Sequence, residues 1–130
     1  MSSAANPAPT ILVVEDNPAN QMLIQYTLEL AGYHVNVASS ASEALISIQE
    51  DRPDLVLMDI QLPGQDGLSL TKQLKADAMF KSIPVVALSA RAMAGDRDLS
   101  LAAGCVGHIA KPIDTRTIAQ EVGGFMTPWR

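Results

Sequence analysis

The sequence predicts an open, doubly wound α/β fold, and three observations predict it. Apolar runs are short, continuous and rich in β-branched residues, the pattern of strands covered on both faces. Segments with helical apolar spacing separate these runs. Start and stop residues punctuate the segments, so that strand and helix alternate five times along 130 residues.

The first strand is Ile11-Leu12-Val13-Val14. Asp16-Asn17-Pro18 then opens a helix over residues 18–31, because proline suits the first helical position, and Gly32 closes it. Ala19, Met22, Leu23, Tyr26 and Leu30 share one face of this helix and form its expected buried stripe. Ile24 and Leu28 lie partly off that stripe, either as an exposed docking patch or as ordinary packing. Residues 34–37 make a weaker second strand, in which His34 is structural. Ser40 with Glu43 three positions on is a capping-box signature for a helix over residues 40–50. Its stripe is Ala41, Ala44, Leu45 and Ile48, and Pro53 bars extension. Residues 54–58 form the third strand and 67–76 the third helix. Residues 83–88 form the fourth strand, and 93–103 the fourth helix, ended by Gly104. The fifth strand, 106–110, is bracketed by a glycine and by Lys111-Pro112. The fifth helix, 115–125, turns Ile118, Val122 and Phe125 one way.

Right-handed crossovers fold such a chain into a parallel five-stranded sheet between two helical layers. The expected strand order is 2-1-3-4-5, the flavodoxin-like (βα)5 three-layer sandwich. Residues 1–10, rich in Ser, Ala, Asn and Pro, are a leader, and 11–126 form one folded domain. Residues 127–130 are a tail, with Gly123-Gly124 starting the fraying end and Trp129 incidental.

Composition narrows the function. The chain is 48% hydrophobic and 18% charged, enough to bury a core. Its net charge of -5 and its 9 unclustered Lys and Arg argue against direct DNA binding, which depends on neutralising phosphates. No apolar run approaches the ~20 residues of a membrane span. Cys105 is a lone thiol beside Gly104, a small apolar filler that points to a reducing, cytoplasmic setting.

In open α/β sheets, sites form beyond the carboxyl ends of the strands. Strand one ends in Glu15-Asp16, strand three in Asp59, strand four in Ser89 and strand five in Lys111. Three carboxylates brought together repel one another unless positive charge sits among them. Lys111 supplies one charge, and a hard divalent cation such as Mg²⁺ would supply two. Glu15, Asp16 and Asp59 suit that ion, with the backbone carbonyl of Gln61 as a further ligand. Carboxylates can attack phosphorus, and phosphoryl transfer needs positioning and charge neutralisation more than a general base. Taken singly, each residue has an ordinary reading. Asp16 caps the first helix, Asp59 begins a turn, Ser89 caps the fourth helix, and Lys111 is a surface lysine. Their placement on one rim is what weakens those readings.

These residues are similar to the receiver domains of bacterial response regulators. Ile11 to Asn17 resembles the acidic-pair strand of that family, and Asp54 to Pro63, followed by Asp66-Gly67, its phosphoacceptor strand. Pro84 to Ala90 resembles its switch strand, and Lys111-Pro112 its lysine and following proline. Single-domain cell-cycle regulators and hybrid-kinase receiver segments look most similar, and the match runs over about residues 11–125.

The resemblance implies a phosphoacceptor switch of a two-component phosphorelay, with no enzymatic activity beyond its own phosphorylation and dephosphorylation. Asp59 would take a phosphoryl group from a histidine kinase or phosphotransfer protein, and Glu15 and Asp16 would hold Mg²⁺. Ser89 and Lys111 would sense the phosphoryl group. The family commonly has Tyr or Phe three positions before the lysine. Here that position is His108, which puts the usual aromatic switch in doubt. The output face toward a downstream protein would include Arg91, Met93 and Arg97, and a homodimer stays open. The donor would approach near Asn17, Pro18, Asn20 and Gln21. Two other readings compete. An aspartate-nucleophile Mg²⁺ phosphatase wants a second acid at position 61, which is Gln. A flavin module wants a phosphate-cradling glycine loop where Glu15-Asp16 stands.

Overall fold

The computed structural model describes residues 8–60, 67–89 and 94–126, the side chains of 94–97 excepted. Its elements are β1 (Thr10–Val14), α1 (Pro18–Leu30), β2 (His34–Ala38), α2 (Ala41–Glu50), β3 (Leu55–Asp59), α3 (Gly67–Lys75), β4 (Val85–Ser89), α4 (Ala94–Ala103), β5 (Gly107–Ala110) and α5 (Ile118–Met126). All four strand pairings are parallel, and the sheet order is β2-β1-β3-β4-β5, as the alternation predicts.

Strand alternation divides the core in two. Leu12, Val14, Val56, Met58, Val85 and Ala87 face α2 and α3. Ile11, Val13, Leu55, Leu57, Val86 and Leu88 face α1 and α5. The three central strands are buried along their length apart from Thr10, which explains why their sequences lack polar alternation. Cys105 is buried as expected, and that burial pushes its thiol pKa up, so it is a poor nucleophile.

Several expectations are corrected. The stripe on α1 is inverted. Met22, Leu23, Tyr26 and Leu30 are exposed, Met22 by 70%, and Ala19 is exposed with them. Ile24 and Leu28 are the residues that pack onto the sheet. Apart from Glu29 this helix carries no charge, so two of its faces are apolar, and periodicity alone does not choose between them. His34, at the start of β2 rather than in its middle, does not pack into the core. It is exposed, with Nε2 3.7 Å from Asp51 Oδ2. Helix α5 starts at Ile118 because Asp114 folds the preceding residues into a turn. Its carbonyl accepts from Thr117 and Ile118, and its Oδ1 accepts from the Arg116 N–H. Gly123 and Gly124 lie inside α5, not in a frayed end. The leader residues 1–7 and the tail 127–130, Trp129 included, lie outside the described residues.

The helix starts confirm the punctuation. The Ser40 Oγ accepts from the Glu43 N–H at 3.2 Å. The Glu43 carboxylate accepts from the Ser39 N–H at 2.8 Å, so the return half of the capping box falls one residue early.

Candidate functional site

The carboxyl ends of β1, β3, β4 and β5 form one rim. Glu15 extends β1 by one residue, its N–H donating to the Ala38 carbonyl at 3.0 Å. Asp59 is the last residue of β3 and Ser89 the last of β4, and both are buried. Lys111 follows β5, with its N–H held by the Ser89 carbonyl at 2.8 Å.

Three carboxylates meet on this rim. One oxygen from each of Glu15, Asp16 and Asp59 lies within 4.8 Å of the others. Lys111 Nζ stands 2.8 Å from Glu15 Oε1 and 2.8 Å from Asp59 Oδ2. Its contact with Asp59 is an aligned hydrogen bond. Its contact with Glu15 is close but off alignment, leaving Glu15 Oε1 buried without a hydrogen-bond donor. Glu15 Oε2 accepts from the Asn17 N–H at 3.1 Å.

Charge and burial pull against each other here. Burial raises the Glu15 pKa, with the nearby Asp59 charge adding to the rise. Lys111 and the Asn17 N–H oppose it without cancelling it. Burial also works against the Lys111 charge, but the hydrogen bond to Asp59 and the negative charges of Asp59 and Glu15 outweigh it, so the Lys111 pKa is raised. An all-oxygen donor set with one buried, undonated oxygen and one exposed carboxylate fits a hard divalent cation.

The single-residue readings lose force. Asn17, not Asp16, caps α1, its Oδ1 accepting from the Asn20 N–H at 3.0 Å. Asp59 sits inside the sheet, and the Lys111 side chain is 15% exposed. His108 lies half-buried in β5 beside Ala87, on the sheet face opposite Ile109. Gln61, Arg91 and Met93 lie outside the described residues, as does the Arg97 side chain.

A family model described as the response regulator receiver domain matches residues 11–123. The chain belongs to that family. Among its relatives, the polar-differentiation response regulator DivK of Brucella anthropi is 39% identical over 117 residues, covering 90% of this chain and 95% of DivK. A putative response regulator from Chloroflexus aurantiacus matches with a TM-score of 0.88 at 29% identity, over 92% of this chain and 98% of that one. The receiver domain of a Pseudomonas aeruginosa sensor histidine kinase, crystallised with a magnesium ion in its active-site cleft, matches with a TM-score of 0.84 at 35% identity. That match spans 92% of this chain and 98% of that one. The chain is thus a receiver domain of two-component signalling, from a family of phosphoacceptor switches that work with histidine kinases and downstream targets. Among its described residues, no helix is long and apolar enough to cross a membrane.

Two residues of this receiver domain carry roles that sequence reasoning missed. Gly67 begins α3 so close to β3 that a methyl group there would overlap the Asp59 carbonyl oxygen. The Asp66-Gly67 pair at a helix start was the available signal. Gln21 was expected at the donor-facing rim, yet its amide turns inward to the Glu15 carbonyl. Nothing in its spacing marks it.

Proposed function

We propose that this receiver domain accepts a phosphoryl group on Asp59 from a phosphohistidine donor, with Mg²⁺ held by Glu15, Asp16, Asp59 and the Gln61 carbonyl. The reading is carried by the convergence of three carboxylates within 4.8 Å, with the Lys111 amine 2.8 Å from two of them. An Asp59 carboxylate oxygen attacks phosphorus, the P–N bond of the donor breaks with its electron pair left on the imidazole nitrogen, and an aspartyl phosphate forms. Bound Mg²⁺ would supply charge neutralisation for the phosphoryl oxygens. Lys111, already hydrogen-bonded to Asp59, moves its donor to one of those oxygens. Ser89, beside Asp59's register partner Leu88, donates to another. That added charge biases the β4–α4 region, where Arg91, Met93 and Arg97 form the output face, and His108 on β5 takes the place of the family's aromatic.

The receiver unit spans residues 11–126 and acts in the cytoplasm as a single-domain regulator. Support for the last point is the match to DivK over 95% of that protein's length. The donor, a histidine kinase or phosphotransfer protein, docks on α1. There Ala19, Met22, Leu23 and Tyr26 line an open apolar hollow of about 400 Å³ beside the rim.

Incubation with acetyl phosphate and Mg²⁺, followed by intact mass, tests the reading. The wild-type protein gains one phosphoryl group. Asp59→Asn gains none, and EDTA abolishes the gain. A mass gain unchanged in Asp59→Asn would overturn the assignment.

A further inference from the structure

We infer that Gln21 is a positioning residue for the acidic pair, clamping the loop that carries Glu15 and Asp16 rather than facing the phosphodonor. Sheet pairing ends at the Glu15 N–H, which donates to the Ala38 carbonyl at 3.0 Å. The next backbone group, the Glu15 carbonyl, already belongs to the β1–α1 loop. Gln21 Nε2 donates to that carbonyl and, at 2.8 Å, to Ser39 Oγ on the loop between β2 and α2.

A primary amide nitrogen has two N–H donors, and here each has one acceptor. The orientation is therefore fixed, since a flipped amide would set oxygen against the Glu15 carbonyl oxygen. On the far side of Asp16, Asn17 is fixed as well. Its side chain caps α1, its N–H donates to Glu15 Oε2, and its carbonyl accepts from the Gln21 N–H at 3.0 Å. Gln21 thus grips both ends of the Glu15–Asp16–Asn17 segment, one with its side chain and one with its backbone. Asp16 is exposed, and among the described residues no hydrogen bond or ion pair holds its carboxylate, so the aim of that carboxylate depends on this backbone. Ser39 completes the clamp by anchoring the amide to a second loop.

The inference rests on the proposed cation site, and the experiment separates the two. Mg²⁺ binding is measured by calorimetry on the full chain for wild type, Gln21→Met, Ser39→Ala and the double variant, with melting curves in EDTA. Methionine keeps the length of the side chain and loses the donor. Gln21→Met is expected to weaken Mg²⁺ binding on the order of tenfold, in the range seen when groups that orient metal ligands are removed. Ser39→Ala weakens it less, and adds nothing in the Gln21→Met background, because both variants disable one clamp. A Gln21→Met affinity within about twofold of wild type overturns the clamp, even if its melting temperature falls, since a purely structural role moves stability alone. Additive effects of the two substitutions overturn the part given to Ser39. Ser39 is exposed, so its single variant keeps the test open should Gln21→Met fail to fold. Wild-type protein that takes up no Mg²⁺ sinks the cation reading itself, whereas normal wild-type binding with an unchanged variant sinks the clamp alone.

Discussion

Glu15 is a carboxylate whose folded environment resists its ionisation. Burial dominates, so its pKa is raised, and the folded state holds the proton more tightly than the unfolded chain does. Its stabilising contribution is complete below the ordinary glutamate pKa of about 4.3 and is lost as pH rises through the raised folded value. Lys111 has the same sign but acts at much higher pH. Its pKa is also raised, so its contribution persists through neutrality and is lost only as pH rises past the ordinary lysine value of about 10.4 and through the raised one. Without a cation, holding Glu15 ionised in this environment is therefore a net cost. Glu15→Gln in EDTA is expected to be more stable than wild type at about pH 7.5, because it removes the charge that burial opposes while Asp59 still pairs with Lys111. The gain should shrink toward zero as pH falls through the Glu15 titration. Thermal melts of both proteins in EDTA from about pH 4 to pH 8 check this, and a gain that grows at low pH would contradict the sign. Mg²⁺ should reverse the ranking, since a ligand at ten times its Kd adds about 1.4 kcal/mol to the wild type.

At the scale of elements, two helices depend on glycine in opposite ways. Helix α3 needs Gly67, because a β-carbon there would overlap the Asp59 carbonyl oxygen and come 2.9 Å from Ile60 Cα. Those neighbours are backbone and give little. Gly67→Ala is expected to cost about 1–3 kcal/mol, the usual range for overpacking, and to slow phosphoryl uptake by displacing the end of β3. Denaturant melts and acetyl phosphate kinetics check both effects. In α5, Gly124 is exposed with open space around its α-carbon. Gly124→Ala should stabilise by about 0.5–1 kcal/mol, the ordinary helix gain. Its neighbour differs, since a β-carbon at Gly123 would meet the Tyr33 hydroxyl at 3.0 Å, and that hydroxyl donates to the Ala119 carbonyl. Gly123→Ala should gain less than Gly124→Ala in the same melts. These elements also mark how much was legible. Strand ends announce themselves, because Val14, Met58 and Leu88 close apolar runs and the polar residue after each must sit on the rim. Rim placement of Glu15, Asp59 and Ser89 followed directly, and Lys111 closes the weaker fifth strand in the same way. Burial of the right face of α1 did not follow, since a helix with one charge in thirteen residues presents apolar side chains nearly all round. Contacts such as Gln21 to Ser39 depend on two loops meeting in space, and local pattern carries no trace of that.

At the scale of the whole molecule, the inverted helix matters for function. Exposing Met22, Leu23, Tyr26 and Leu30 sacrifices burial that the sheet side of α1 obtains from Ile24 and Leu28 alone. A patch of this kind beside a reactive rim suits a partner that covers it, and the absence of charge on the exposed stripe suits an apolar helical surface rather than a charged one. Chemistry and recognition are then separable on this receiver domain, because the rim acids stand at the strand ends whereas the patch runs along α1 away from them. Tyr26→Arg puts a charge in the middle of the patch. Tyr26 is 64% exposed, so the change should leave folding within about 0.5 kcal/mol of wild type, as surface substitutions usually do. Phosphorylation by acetyl phosphate, which needs only the rim, should proceed at the wild-type rate. Transfer from a phosphohistidine protein should fall on the order of tenfold or more, the loss expected when a buried interface aromatic worth about 1.4 kcal/mol or more is replaced by an unpaired charge. Comparing the two donors in one mass-spectrometric time course decides the matter. Equal loss with both donors would place the defect at the rim, and no loss with either would move donor docking off α1.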